Sequence, residues 1–358
     1  MGRGAAAAYA HPVSKADTEL DARIRCLSRP ETYPGGPLAV EAIETHFAWV
    51  FLAGRFAYKM KKPLKFHELD LTTLATRRAN CELEVALNRR LAPAVYLGTV
   101  PLYDVGGRLS LEGPGAPVEW LVKMHKLPRE RALDRLASMG QLNDAHLRPL
   151  LEQLAHFYAT TVRAPWDGRA YRNAMAREVE RTARELTAPA LGLDSARIDA
   201  IAAELSRRLD ADAHVFHGRV AEGRIVDAHG DLRPEHVFLL PEPQIIDCLE
   251  FSGELRLLDS AAEIAFLALE CERLGHAELG KRVLAHYRGC AHDGCDAALL
   301  DFYRALRAFI RAKVAAWHLE DELTADAQAH WRERTSWYLH AASQSLDIDG
   351  RRSATASG

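Results

Sequence analysis

The sequence predicts an α+β chain of two lobes, a small strand-rich one followed by a large, mainly helical one. Three observations carry this. The periodicity changes near residue 127: between 36 and 126 apolar, β-branched and aromatic runs are cut by Gly and Pro, and from there to about 345 apolar residues recur at helical spacing. The length, 358 residues, suits one large domain or two lobes. Finally, one strand island, "HVFLLPEPQIID" (236–247), interrupts the helical half, with Pro241 and Pro243 at its turn.

In chain order, 15–28 has the pattern of a short amphipathic helix, and "RPETYPGGP" breaks it. "AIETHFAWVFLAGRFAYKMKKP" follows, a hairpin turning at Ala53-Gly54-Arg55 with Lys59 in its second strand. "TLATRRANCELEVALNRRLAP" predicts a helix ending near Pro93. "VYLGTVPLYDVGGRLSLEG" predicts two strands around Gly106-Gly107, and "PVEWLVKMHKLP" one more. Helices are expected near 129–139, 144–163, 170–187 and 195–222, and after the island near 260–274, 276–291, 297–319 and 325–345. The expected organisation is a tail and helix (1–35), a nucleotide-binding lobe (36–126) with the connection between lobes near 118–126, a catalytic lobe (127–345) and a flexible tail (346–358).

Composition excludes some functions. With 46 basic and 49 acidic residues the net charge is −3, which gives no global attraction to nucleic acid or anionic membrane. No apolar run reaches the roughly 18 residues of a spanning helix. Six cysteines without a CxxC pair predict thiols in a reducing cytoplasm. Cys290, His292 and Cys295 lack the second half of a zinc site.

The chemistry concentrates in "HGDLRPEH" (229–236) and "IIDCLEF" (245–251). A tight turn presents Asp231; His236 stands five residues on, and the hairpin returns Asp247 beside it. Phosphoryl transfer needs such a set: a carboxylate for the hydroxyl, metal ligands for the phosphates, a Lys on the nucleotide and a Glu to hold that Lys.

These stretches, with "IETHFAWVFLAGRFAYKMKKP" and "CELEVALNRRLAPAVYLGTVP", resemble the aminoglycoside phosphotransferase and choline-kinase-like superfamily, from about Ala16 to Ser345. The resemblance implies a protein-kinase-like fold and ATP-dependent transfer, with Mg²⁺ or Mn²⁺, to a hydroxyl of a small molecule. It implies Asp231 as catalytic base or hydroxyl orienter, Asp247 as metal ligand, Lys59 on the phosphates and Glu84 (Glu82 as alternative) holding Lys59. Residues 118–124 would connect the lobes and meet the adenine, with Glu119 and Val122 as candidates; the other reading of that stretch is a buried strand.

Two departures stand out. No G-x-G-x-x-G or Walker-type loop occurs. His236 replaces the Asn of the pattern, and an imidazole suits Mn²⁺ better than Mg²⁺. His236 thus ligates a metal, stands beside a single-metal site, or marks a degenerate site in a nucleotide-binding pseudokinase acting as a regulatory module. Arg233 stands where the family usually has His, positioned for substrate, phosphate, Glu235 or Glu250. Arg304, Arg307 and Arg311 share one helical face, either a basic wall for an anionic acceptor or a solvated surface. Asp259 reads as a helix cap. Without an A-P-E motif, and with eleven residues between Asp247 and Asp259, a protein kinase is the weaker expectation.

Overall fold

The computed structural model describes residues 15–66, 69–320 and 324–348, and the chain divides into two compact units after Leu127. The tails expected before residue 15 and after 348 lie outside the described residues.

In the first unit, helix α1 (Lys15–Leu27) precedes strands β1 (Val40–Glu44), β2 (Ala48–Ala53) and β3 (Phe56–Lys61), a small pair β4 (Lys65–Phe66) and β5 (Leu69–Asp70), helix α2 (Leu74–Asn88), and strands β6 (Tyr96–Val105), β7 (Arg108–Ser110) and β8 (Ala116–His125). Six strands form one antiparallel sheet in the order β1-β2-β3-β8-β6-β7. The expected hairpin turns at Gly54, where φ is +59° and a side chain would be strained. What read as one strand before that turn is two, because Thr45 exchanges hydrogen bonds with Ala48 and turns the chain early.

Side chains alternate across a strand. In β3, Tyr58 and Met60 enter a core with Leu27, Tyr33, Phe51, Leu102 and Leu121. Lys59 and Lys61 leave by the opposite face, where Glu84 of α2 meets them. α2 begins at Thr73, whose hydroxyl accepts from Thr76 N, and presents Arg77, Cys81, Glu84, Val85 and Asn88 as its buried stripe.

The second unit contains α3 (Leu133–Ser138), α4 (Asp144–Thr160), α5 (Gly168–Leu186), α6 (Ser195–Ala211), α7 (Ala213–Ala221), β9 (Ile225–Asp227), β10 (Val237–Phe238), β11 (Gln244–Ile245), α8 (Gly253–Arg256), β12 (Leu257–Asp259), α9 (Ser260–Arg273), α10 (Ala277–Ala291), α11 (Ala297–Trp317) and α12 (Ala325–Ser345). The helix expected over 195–222 is two, broken at Asp212. β10 and β11 are the expected hairpin; β9 and β12 form a further antiparallel pair. α9 is buried from Ser260 to Cys271 and forms the centre of this unit. Asp259 caps it, accepting from Ala261 N, and is itself held by Arg219 and Tyr303. No helix among the described residues is long and apolar enough to cross a membrane.

Candidate active site

In the first unit the Lys–Glu set is a triad. Lys59 Nζ donates to Glu84 Oε1 at 2.9 Å, and Lys61 Nζ lies 2.5 Å from Oε2. Lys61 and Glu84 are sealed from solvent, while the Lys59 side chain keeps 14% exposure. One carboxylate therefore answers two ammonium groups, and Lys59 is the more exposed of the two. Glu82, the alternative partner, is half exposed and pairs with Arg78.

Glu119 and Val122 both lie within strand β8. Glu119 is buried, accepts from Arg77 Nε at 2.9 and 3.0 Å and from Arg23 Nη1 at 3.1 Å, and so ties α1 and α2 to β8. Val122 is buried in β8 between Lys59 of β3 and Thr99 of β6. The stretch read as a connection near 118–126 is thus strand through His125, its backbone in ladders on both sides, and the units divide two residues later.

In the second unit the chain leaves β9 and enters the His229-Gly230-Asp231 turn. Its shape comes from α9: Glu263 accepts from His229 N at 3.0 Å and Gly230 N at 2.5 Å, and from the Tyr158 hydroxyl at 2.6 Å. Gly230 has φ +86°, and a Cβ there would stand 3.0 Å from Leu249 Cβ and 3.2 Å from Arg256 Cγ. His229 stitches the turn to the returning strand. Its Nε2 donates to Ile246 O at 2.9 Å, so its Nδ1 is left to accept from Asp231 N at 3.3 Å. Burial pushes its pKa down to about 3, and it stays neutral.

Asp231 is surrounded by guanidinium groups. Arg233 Nε donates to its Oδ2 at 3.0 Å, and Arg311 Nη1 lies 3.6 Å from Oδ1. Burial acts to raise its pKa, but the charges of Arg233 and Arg311 outweigh it and hold the carboxyl at about 2. Oδ1 accepts no hydrogen bond from the described residues. Arg233 also donates to Glu235 Oε1 at 2.8 Å and meets His236 Nε2 at 2.9 Å. The other ring nitrogen, Nδ1, faces Asp231 O at 2.9 Å. A carbonyl only accepts and a guanidinium only donates. His236 therefore carries its proton on Nδ1 and gives its Nε2 lone pair to Arg233.

These partners decide which residues fit a metal. His236 has no lone pair to offer, although its Nε2 is only 3.5 Å from Asp247 Oδ2. Asp247 does fit. It sits at φ +64°, a left-handed conformation that Asp tolerates, and its side chain is 43% exposed. Among the described residues no group of three or more His, Cys, Asp and Glu side chains is arranged as a metal cage.

Glu263 was not singled out in the sequence, yet it holds the His229-Gly230-Asp231 turn. Arg307 donates to Gly230 O at 2.8 Å, whereas Arg304, grouped with it by spacing, pairs with Glu272 instead.

No family model matches the chain. Uncharacterised proteins of Mycobacterium tuberculosis and Mycobacterium bovis are each 36% identical over 315 residues, covering 84% of this chain. The chain spans 60% of the length of those relatives. Among solved structures, the choline/ethanolamine kinase family protein from Mesorhizobium loti matches with a TM-score of 0.53 and 13% identity, over 91% of this chain and 98% of that one. The chain has the two-lobed kinase-like fold of that structure.

Proposed function

We propose that the chain is an ATP-dependent phosphotransferase that delivers the γ-phosphoryl group to a hydroxyl of a small molecule. The observation that carries this reading is Asp231: a carboxylate held in a rigid turn, with Oδ2 bonded to Arg233 and Oδ1 open to a donor. A carboxyl held at about 2 is a poor proton acceptor near neutrality. It is, however, always ionised there, and it orients a hydroxyl through Oδ1. A loose phosphoryl transition state asks for such positioning more than for early proton removal. Lys59, partly exposed, binds phosphate oxygens as a point charge while Glu84, itself held by Lys61, positions its ammonium group. Asp247 is the residue that would hold Mg²⁺, which would supply positive charge to neutralise the nucleotide phosphates.

The test is Asp231→Asn in an assay of ADP release with an acceptor that the native chain uses. Turnover should fall at least 100-fold, while ATP affinity by calorimetry changes less than about threefold, since orientation of the nucleophile supplies a comparable part of the barrier. Full turnover in this variant would remove Asp231 from the mechanism. The occupation of Asp231 and His236 by Arg233 favours one second reading, a nucleotide-binding module without transfer activity. Tight ATP binding with no ADP release from any acceptor would select it.

A further inference from the structure

Around Asp231 the carboxylates and guanidinium groups are not paired one to one. Arg233 donates to one oxygen each of Asp231 and Glu235, Glu263 accepts from Tyr158 and two backbone N–H groups, and Glu270 accepts from Arg273 and Tyr338. Arg307 and Arg311 are the remainder. Arg307 donates to one backbone carbonyl, Gly230 O, and to no carboxylate among the described residues. Arg311 approaches Asp231 only to 3.6 Å, and its one other side-chain hydrogen bond is to Tyr338, not to a carboxylate among the described residues. The Nε of each is buried with no hydrogen-bond partner.

The two are one turn apart on α11 and lie over the same ring, with guanidinium carbons 4.3 and 5.8 Å from the centre of Phe266. Like charges at this spacing repel. Burial and this repulsion both act to pull the Arg307 pKa down, against the pull of Glu263 and Asp231. Neither side chain is sealed; Arg311 keeps 14% exposure. Guanidinium forks match the paired oxygens of phosphate and carboxylate.

We propose that Arg307 and Arg311 form an anion subsite beside Asp231, and that the acceptor is an alcohol carrying a phosphate or carboxylate group. The acceptor half of this statement rests on the phosphotransferase reading; the anion subsite stands on the arginines alone. The same arrangement disfavours cationic acceptors, which would have to approach Asp231 past two guanidinium groups.

The experiment has two arms on the full chain. Calorimetry with inorganic phosphate as probe compares the native chain with Arg307→Met and Arg311→Met, and ADP release is measured with glucose 6-phosphate, gluconate, glucose and choline. Phosphate binding should weaken at least tenfold in each variant, and the phosphorylated and carboxylated alcohols should outpace the neutral and cationic ones. If a Met variant does not fold, the corresponding Lys variant, which keeps the charge but loses the fork, should still bind phosphate several-fold more weakly. Phosphate affinity indifferent to both positions would overturn the subsite. Turnover favouring glucose or choline would overturn the acceptor class while leaving the phosphotransferase reading intact. Arginine-dependent phosphate binding with no turnover of any alcohol supports the subsite and counts against the phosphotransferase reading.

Discussion

Arg233 answers three acceptors with one guanidinium: Asp231 Oδ2, Glu235 Oε1 and His236 Nε2. This makes it the residue that sets the protonation of Asp231. The folded pKa of Asp231 lies below the ordinary carboxylate value, so its ionised form adds to stability above about pH 4, and that contribution fades as pH falls toward 2. For Arg233→Met we expect the opposing effect of burial to surface and the carboxyl to rise by roughly one to two units or more. The native pH profile of kcat/KM should show no acid limb from Asp231 between pH 4 and 8, and the variant should lose activity as pH drops toward 4. Superimposable profiles would mean that Arg233 does not control the carboxyl. The sequence showed Arg233 as an unusual charge but left its partner open among substrate, phosphate, Glu235 and Glu250. A long side chain reaches several of them, and only the turn geometry brings His236 and Asp231 onto the same group. Spacing misled similarly at Arg304. It shares a helical face with Arg311 but sits seven residues away, about 10 Å along the axis, where Glu272 takes it.

At the level of elements, the His229-Gly230-Asp231 turn is a product of helix α9. Glu263 accepts two backbone N–H groups with two different oxygens, which a single amide oxygen cannot reproduce. Glu263→Gln should therefore leave one buried donor unsatisfied and cost about 1–3 kcal/mol in urea unfolding. The same variant should lower kcat more than it raises the KM for ATP, because the turn carries Asp231 and not Lys59, the proposed phosphate ligand. An unchanged unfolding midpoint would show that the turn holds its shape without α9. The helices themselves were legible. Long apolar periodicity placed α5, α9, α10, α11 and α12 within a few residues of their ends. The pair β9–β12 was not, because strands of three residues offer too few alternations to register. Residues 118–124 illustrate the converse limit. Their pattern gave an extended run, which is right, but whether such a run lies within a sheet or joins two units depends on neighbours distant in sequence.

For the molecule as a whole, the divided placement of Lys59 in the first unit and Asp247 in the second separates two contributions to ligand stabilisation. A ligand at 100 times its Kd stabilises the folded chain by about 2.7 kcal/mol, a shift of a few degrees for a protein of this size. ATP alone should raise Tm through Lys59, and Lys59→Ala should abolish that rise. A divalent metal should add a further increment that Asp247→Ala removes. The sequence, by placing an imidazole at 236, pointed to Mn²⁺ over Mg²⁺. The structure points the other way, because the only lone pair that His236 has for a metal is given to Arg233. With a carboxylate as the protein ligand, Mg²⁺ and Mn²⁺ should produce increments within a degree or so of each other, and Arg233→Met should be the variant in which Mn²⁺ pulls ahead. A larger increment with Mn²⁺ in the native chain would mean that nucleotide binding draws Arg233 off His236. It would return the imidazole to the metal and weaken the case that Asp247 alone holds it.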